Sequence, residues 1–384
     1  MAHKTFSDAD IVALTQRVVR HASEQTAKME QDPAVLSFVT DCAKPVLDAA
    51  GLTSKIDGFG NLICEAGPDD AEMPFLMLTY AMTHPGNRMV DPFKGEVVET
   101  AAGPAVRGRG VSEQKSALAA ALAAFVDVAT SGKLKKRLAF GLLTAGETGR
   151  HDAIAVAMKN LSRRPKLAIL GVGTNTRVAL GNRGRLDVMV HIQGKASHSS
   201  TPWAGVDVTK GIRDIIGRAE AINAKLPSHE NLGPATLTCT SIKTGPDATH
   251  TVQSDGWMVF DRRLMPGEDP EVVLEGLRQS FSLEAPLAAS VTRGPFMYGS
   301  EVDPKGELLS AIETALAGDR LPKVETFYSP SSLDAGYLVV NGIEAVKWGP
   351  GSPDQFHTDE EQVPVAEVVR MFKSYRAVMS HLCG

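Results

Sequence analysis

The chain has 384 residues, 43% of them hydrophobic, and a formal net charge of -5 at pH 7. This length and apolar content suit a globular protein of two domains. The balance of 40 Lys and Arg against 45 Asp and Glu excludes the basic surface expected of a nucleic-acid-binding protein. We therefore expect a small-molecule substrate and no nucleic-acid partner.

The sequence shows no membrane or disulfide signature. No apolar stretch approaches the roughly 20 residues that span a bilayer, and the amino-terminal segment lacks the apolar core of a signal peptide. The four cysteines are scattered without a CxxC spacing, as expected of reduced thiols. The sequence thus predicts a cytoplasmic protein without membrane contact.

The first part of the chain predicts helices and strands in alternation. Ser7 can cap a first helix, whose apolar residues recur at helical spacing, and a second helix is predicted from Pro33 to Ala50. Further on, strands are predicted at 61–65, 75–82, 137–144 and 166–170, and helices at 114–131 and 153–160. This alternation is typical of a mostly parallel α/β sheet, which carries its functional groups at the carboxyl ends of the strands.

From Gly184 the pattern changes. The predicted elements are strand 186–193, helix 206–226, strands 235–244 and 251–264, helix 270–281 and strand 288–292. This βαββαβ order is the signature of a ferredoxin-like α+β fold. A helix at 305–317 and a strand at 345–348 return to the first pattern. We predict a discontinuous catalytic α/β domain of residues 1–183 and 295–384, with residues 184–294 as an inserted domain.

Four short strings carry most of the functional information: GRGVSEQK at 108–115, LLTAGETG at 142–149, GKASHSSTP at 194–202 and QFHTDEEQVP at 355–364. Together with GNRG at 181–184 and DRRLMPG at 261–267, their order resembles the zinc aminoacylase and exopeptidase family. That family includes acetylornithine deacetylase, succinyl-diaminopimelate desuccinylase and glutamate-releasing carboxypeptidases. The resemblance covers nearly the whole chain, and it implies a catalytic domain with an inserted lid or dimerisation domain and a homodimer.

The resemblance further implies amide hydrolysis by two zinc ions that share a carboxylate and a water molecule. The shared carboxylate falls on Glu113, one methylene longer than the family's Asp, a second carboxylate falls on Glu147, and the last imidazole falls on His357. Three nitrogen and oxygen donors with an open fourth position form a catalytic mononuclear zinc site. These residues are the candidate ligands of at most one zinc ion.

Other positions of the family's metal site carry unsuitable side chains. The HxD string falls on Tyr80, Ala81 and Met82, a further acidic ligand falls on Val172, and the general base falls on Gly146. Because a phenol is a poor zinc donor and an isopropyl group is none, a second ion is not expected.

A site without metal stays open as the alternative. In that case Glu113 and Glu147 are solvated or form salt bridges, for example with Arg109 or Lys115. Hydrolysis then needs another base, and His84, which follows the degenerate HxD string, is one candidate.

Several residues are candidate catalytic or substrate-binding groups. The resemblance implies that His198 contacts the substrate's carbonyl oxygen, often in the site of the partner subunit, and that Arg263 lies near a substrate carboxylate. His250 stands where the family commonly has Asn, and Tyr80 is a further substrate-binding candidate. We count His198, His250 and Glu147 among the catalytic candidates.

The sequence leaves three functions open, of which a nonenzymatic scaffold protein is the least favoured. The first is a divergent hydrolase of C–N amide bonds in a small carboxylate-bearing substrate, with one metal ion or none. The second is a catalytically inactive relative that binds a ligand or regulates another protein. Loss of the base position at Gly146 favours the second, whereas retention of His198, Arg263 and His357 is compatible with both.

Overall fold

The computed structural model describes residues 2–384. Its α-helices are α1 (Asp8–Arg20), α2 (Pro33–Ser37), α3 (Lys44–Ala49), α4 (Ser116–Thr130), α5 (Asp152–Asn160), α6 (Val208–Asn223), α7 (Pro270–Ser280), α8 (Glu307–Gly318), α9 (Ala335–Val340) and α10 (Val365–Cys383). Its strands are β1 (Ser54–Ile56), β2 (Leu62–Ala66), β3 (Phe75–Tyr80), β4 (Glu96–Thr100), β5 (Gly103–Arg107), β6 (Leu138–Leu143), β7 (Leu167–Leu170), β8 (Val178–Asn182), β9 (Arg185–Gln193), β10 (Ser228–His229), β11 (Gly233–Pro234), β12 (Thr236–Gly245), β13 (Asp255–Arg263), β14 (Ala288–Met297), β15 (Ser300–Glu301), β16 (Thr326–Ser329), β17 (Glu344–Lys347) and β18 (Gln362–Pro364).

The chain forms two compact units. Unit 1 consists of the residues up to Leu180 together with Val302–Phe327 and Tyr337–Gly384. Its sheet contains β6, β3, β7 and β17 as parallel neighbours, and β2 and β8 run antiparallel beside β6 and β17. The predicted mostly parallel sheet is therefore confirmed.

The core of unit 1 explains why its strands read as continuous apolar runs. Every residue of β3 and β6 is buried, as expected of parallel strands covered on both faces. Helix α4 is apolar around nearly its whole circumference and packs against α10, so it too lies inside the unit.

Unit 2 consists of Gly181–Glu301 and Tyr328–Gly336. Its antiparallel sheet has the order β12-β13-β9-β14, and α6 and α7 supply the two helices of a βαββαβ fold. On β9, Val188 and Val190 are buried while Met189 is exposed, so this sheet has one face in the core. The predicted ferredoxin-like inserted domain is confirmed as a fold.

The bounds of unit 2 differ from those predicted. Tyr328–Gly336 belongs to it, although the sequence analysis assigns this segment to the catalytic domain. Gly336 lies so close to Tyr298 that an added Cβ would meet the Tyr298 carbonyl oxygen at 2.0 Å. This backbone contact is invisible in the sequence, because the two residues lie 38 positions apart and no pattern in either segment marks the other as its partner.

Two π-helical turns also depart from prediction. Phe38–Ala43 interrupts the helix predicted from Pro33 to Ala50, and Val111–Lys115 precedes α4. The β4-β5 hairpin and α10 are not among the elements predicted from the sequence. Among residues 2–384, no helix is both long and apolar enough to cross a bilayer.

Candidate functional site

The parallel strands of unit 1 bring the candidate residues to one edge of the sheet. Tyr80 ends β3, Glu147 follows β6, Val172 follows β7 and His357 follows β17. Such carboxyl ends are the usual place for ligand sites in open α/β sheets. Glu113 reaches this region from the π-helical turn that begins after Gly110, whose φ of 75° is left-handed. Turns of this kind are frequent at functional sites.

Glu113, Glu147 and His357 form one cluster. The His357 Nε2 atom lies 3.2 Å from Glu113 Oε2 and 3.6 Å from Glu147 Oε1. One ligand atom from each residue lies within 4.8 Å of the others. The carboxylate side chains are 16% and 13% exposed, and the imidazole is 43% exposed. The structure thus brings together the three predicted ligands, with the imidazole on the solvent side.

The donor set of this cluster fits one divalent ion. Carboxylate oxygens and an imidazole nitrogen are zinc donors at roughly 2.0–2.2 Å, and tetrahedral ligands at that distance lie roughly 3.3–3.5 Å apart. Glu147 Oε1 is buried and accepts no hydrogen bond from any group within residues 2–384. A cation would satisfy this orphaned oxygen.

The residues expected around a second ion do not fit one. Tyr80, Met82 and Val172 are all buried and offer a phenol, a thioether and an isopropyl group. In the part of the chain that the structure describes, no second group of three His, Cys, Asp or Glu side chains converges as a metal site.

Burial and hydrogen bonding set the protonation of the cluster. Burial raises the pKa of the Glu113 carboxyl, and its hydrogen bond to His357 opposes that rise. The hydrogen bond to Glu113, and then the nearby Glu147 carboxylate at 3.6 Å, raise the pKa of the His357 imidazole. The cluster therefore retains a proton near neutrality, and a bound metal ion would displace it.

The salt bridges considered for a metal-free site are not formed. The Lys115 ammonium is fully buried and donates to the His21 carbonyl at 2.8 Å. Arg109 pairs with Glu361 at 3.0 Å rather than with Glu113 or Glu147. The reason is that both cations point away from the cluster, into contacts with distant loops.

His84 lies against the cluster. Its ring stacks on His357, with centroids 4.0 Å apart and planes inclined by 14°. Burial, followed by the repulsion of His357, lowers the pKa of His84, so this imidazole stays neutral. Its Nδ1 atom lies 3.1 Å from the Pro85 carbonyl, which can only accept, and Nε2 is therefore the free acceptor.

Gly146 is a position where only glycine fits. Its φ is 156°, and a Cβ would lie 2.4 Å from the Met82 carbonyl oxygen. The same Cβ would lie 3.1 Å from Nε2 of Gln114, a buried amide nitrogen without a hydrogen-bond partner among residues 2–384. The backbone at Gly146, where the resemblance places the general base, therefore leaves no room for a side chain. The Gln114 amide lies next to the Gly146 Cα atom.

In unit 2, His198 and His250 are neighbours, with ring centroids 5.9 Å apart. The backbone N–H of Ser200 donates to His198 Nδ1 at 3.2 Å, and the Ser200 hydroxyl lies 2.8 Å from the same atom. Because the backbone N–H can only donate, neutral His198 carries its proton on Nε2. This exposed N–H is the donor that a carbonyl oxygen requires.

Arg263 is less free than the sequence suggests. Its guanidinium donates to both carboxylate oxygens of Asp261, at 2.9 and 3.1 Å. The neighbouring Arg262 is buried and pairs with Glu268. A substrate carboxylate at Arg263 would therefore share the cation with Asp261.

Glu361 and Gln114 lie beside the candidate ligands but are not predicted from the sequence. Glu361 lies inside the string QFHTDEEQVP, but its partners are about 250 residues away along the chain. Gln114 stands next to Glu113 in GRGVSEQK. Polar residues at these positions of matched strings are the only signal that the sequence carries for them.

Comparison with known proteins supports the resemblance. Residues 180–287 match the family model described as peptidase dimerisation domain, M20_dimer. An acetylornithine deacetylase of Myxococcus xanthus is 26% identical over 284 residues, 72% of either chain. A putative [LysW]-lysine/[LysW]-ornithine hydrolase of Pyrobaculum aerophilum is 24% identical over 294 residues, which cover 76% of this chain and 80% of the relative.

Solved structures show the same fold. An M20 family metallo-carboxypeptidase from Sulfolobus solfataricus superposes with a TM-score of 0.77 at 15% identity, covering 97% of this chain and 98% of the other. A tripeptidase from Staphylococcus aureus gives 0.76 at 18% identity, covering 98% and 99%. A Bacillus subtilis protein described as a dinuclear metal-binding M20 peptidase gives 0.70 at 13%, covering 97% of both chains. The predicted family resemblance is confirmed: the chain has an M20 dimerisation domain, homologues named as deacetylase and hydrolase, and M20 structural neighbours.

Proposed function

We propose that this chain, with its M20 peptidase fold and dimerisation domain, hydrolyses an amide bond in a small, peptide-like substrate that bears a carboxylate. The observation that carries the proposal is the convergence of Glu113, Glu147 and His357 at the carboxyl ends of the parallel strands. The proposed site holds one divalent ion per subunit.

In this proposal Glu113, Glu147 and His357 hold the ion, and zinc is the candidate because its preferred donors are the ones present. When bound, such an ion polarises the substrate carbonyl and lowers the pKa of a coordinated water. The apolar surroundings formed by Tyr80 and Val172 exclude a second ion.

The proton of the attacking water needs an acceptor other than residue 146. Glu147 is one candidate, through the carboxylate oxygen that remains when the other oxygen binds the ion. His84 is the other, because it is held neutral and its Nε2 atom is free to accept. Either group can pass the proton to the departing amine, as general acid–base catalysis requires.

We assign the remaining substrate contacts to the inserted domain, as the family resemblance implies. His198 presents an Nε2–H donor suited to a carbonyl oxygen, with His250 beside it. Arg263 is the proposed partner of the substrate carboxylate. Since residues 180–287 match a dimerisation domain, we infer a homodimer.

A second candidate function is ligand binding without turnover. The backbone at Gly146 supports it, since no side chain can occupy the position of the family's base. Hydrolysis without metal is a third candidate, with His84 as the base. The three candidate functions therefore predict different metal contents and different activities for the purified protein.

Elemental analysis of the purified protein, before and after dialysis against a chelator, tests the metal site. We expect up to one zinc ion per subunit, with loss of binding in His357→Ala and no loss in the control His381→Ala, an exposed imidazole on α10. Two well-occupied ions per subunit would contradict the proposed site.

Activity on N-acyl amino acids and short peptides separates the three functions. Turnover that disappears with chelator and returns with zinc supports the single-metal hydrolase. Turnover that survives chelator but falls in His84→Ala supports the metal-free alternative, and ligand binding without turnover on any amide supports the inactive relative.

A further inference from the structure

We propose that the buried pair of Arg109 and Glu361 is the positioning element of the Glu113, Glu147 and His357 cluster. The two side chains are 0% and 1% exposed, and their closest charged atoms are 3.0 Å apart. Neither residue offers a ligand atom to the cluster. Their contacts instead fix the three segments that carry Glu113, His357 and His84.

Glu361 holds the segment of Glu113. Its Oε1 atom accepts from the backbone N–H groups of Ser112 and Glu113 at 3.0 and 3.2 Å, and its Oε2 atom accepts from Gly110 at 2.8 Å. The turn that begins there has no side-chain cap of its own. A carboxylate from a distant segment thus satisfies N–H groups that a helix start leaves unpaired, and it fixes the backbone of Glu113.

Arg109 holds the segments of the two histidines. One arm of its guanidinium donates to the Thr358 carbonyl at 3.0 Å, next to His357, and the other donates to the Gly86 carbonyl at 3.1 Å, near His84. His357 has a φ of 62°, which costs energy for a residue with a side chain. The planar guanidinium of Arg109 therefore fixes the strained loop that carries His357 relative to the segment that carries His84.

Glu147 is held separately, because the Gln25 side chain donates to its backbone carbonyl at 3.0 Å. The pair thus sets the spacing between Glu113 and His357 but not the position of Glu147. Loss of the pair should therefore change the distance between Glu113 and His357 and the affinity of the cluster for zinc, and both can be measured.

The test compares the wild type with the double variant Arg109→Met/Glu361→Gln. A single change would leave a buried charge without its partner and could prevent folding, whereas the double variant removes both charges. The matched control is Arg137→Met/Glu65→Gln, which removes another largely shielded Arg–Glu pair at the opposite end of β6. Zinc affinity is measured by calorimetry on protein whose thermal unfolding remains cooperative.

The inference rests on the proposed function for its zinc readout. We expect the zinc affinity of the double variant to fall by about 10- to 100-fold, the usual effect of losing the groups that orient metal ligands, with little change in the control. A folded double variant with wild-type affinity would overturn the proposal.

A second readout does not depend on metal. In a crystal structure of the double variant, the distance from Glu113 Oε2 to His357 Nε2 should exceed its wild-type 3.2 Å and leave hydrogen-bonding range. An unchanged distance would overturn the positioning role even if the wild type bound no zinc. Absence of zinc in the wild type, with a widened distance in the variant, would reject only the proposed metal site.

Discussion

At the scale of single residues, the candidate site combines three converging ligand side chains with a position that accepts only glycine. Glu113, Glu147 and His357 each offer a ligand atom within 4.8 Å of the others. Gly146 has a backbone conformation that excludes a side chain, and the amide of Gln114 faces the space beside it.

Gln114 provides a prediction about stability. Its amide nitrogen is buried without a hydrogen-bond partner among residues 2–384, and such a group costs about 1–3 kcal/mol. Replacing it with Met, which has a similar shape and no amide, should raise the free energy of unfolding by about 1 kcal/mol or more. Urea unfolding of wild type and Gln114→Met measures this difference.

The control for this prediction is Gln16→Met, because the Gln16 amide donates to the Gly95 carbonyl at 2.9 Å. Loss of a satisfied hydrogen bond should lower stability. If Gln114→Met is destabilised to the same extent as Gln16→Met, the amide of Gln114 has a partner in solution and the prediction is wrong.

At the scale of secondary structure, the sequence predicted the fully buried strands β3 and β6 and the four strands of the inserted domain's sheet, and it missed β4, β5 and β8. β3 and β6 are uninterrupted apolar runs and stand out for that reason. β4 has no fully buried residue, and β5 has only two, Ala105 and Val106, which follow Pro104, a residue that weakens the strand signal. Helix α10 does carry apolar residues at helical spacing, so its position was available from the sequence.

The candidate site, too, was predictable only in part. Glu113, Glu147 and His357 lie in strings whose order marks a family, and strand topology brings such strings together. The bonds of Arg109 and Glu361 join segments about 250 residues apart, and nothing in either segment specifies its partner. The ligand residues were therefore predictable, but the pair that holds them was not.

Strand β17 carries a fully buried lysine whose effect on stability depends on pH. Burial lowers the pKa of Lys347 to about 7. Between that value and the ordinary value near 10.5, the unfolded chain holds a proton that the folded chain has lost, so stability rises with pH. Below pH 7 the full penalty of burying the lysine remains.

We expect Lys347→Met to stabilise the protein at pH 7 and to lose about 2 kcal/mol of that advantage by pH 9. Denaturant unfolding of wild type and variant at the two pH values measures the difference. The control is Lys305→Met, an exposed lysine, whose effect should not depend on pH. If the stability gained by Lys347→Met is the same at both pH values, Lys347 keeps its proton in the folded protein.

At the scale of the whole molecule, the chain passes between its two units after Leu180, Glu301, Phe327 and Gly336. The predicted boundaries at residues 183 and 295 account for the first two passages, and we retain them as the proposed limits of the inserted domain. Arg185 and Met297 are register partners at the ends of β9 and β14. The inserted segment therefore leaves and returns at adjacent points, as domain insertions commonly do.

This geometry allows residues 186–296 to be replaced by a short Gly-Ser linker, because antiparallel register partners lie only about 5 Å apart. If the inserted domain forms the dimer, light scattering should give a dimeric mass for the full chain and a monomeric mass for the deletion variant. The variant should unfold at a lower temperature, since Tyr328 loses its packing against Leu232, Ala235 and Met265. It should still bind zinc, because Glu113, Glu147 and His357 all belong to unit 1. A full chain that is monomeric at micromolar concentration, or a deletion variant that remains dimeric, would contradict the assignment of dimerisation to this domain.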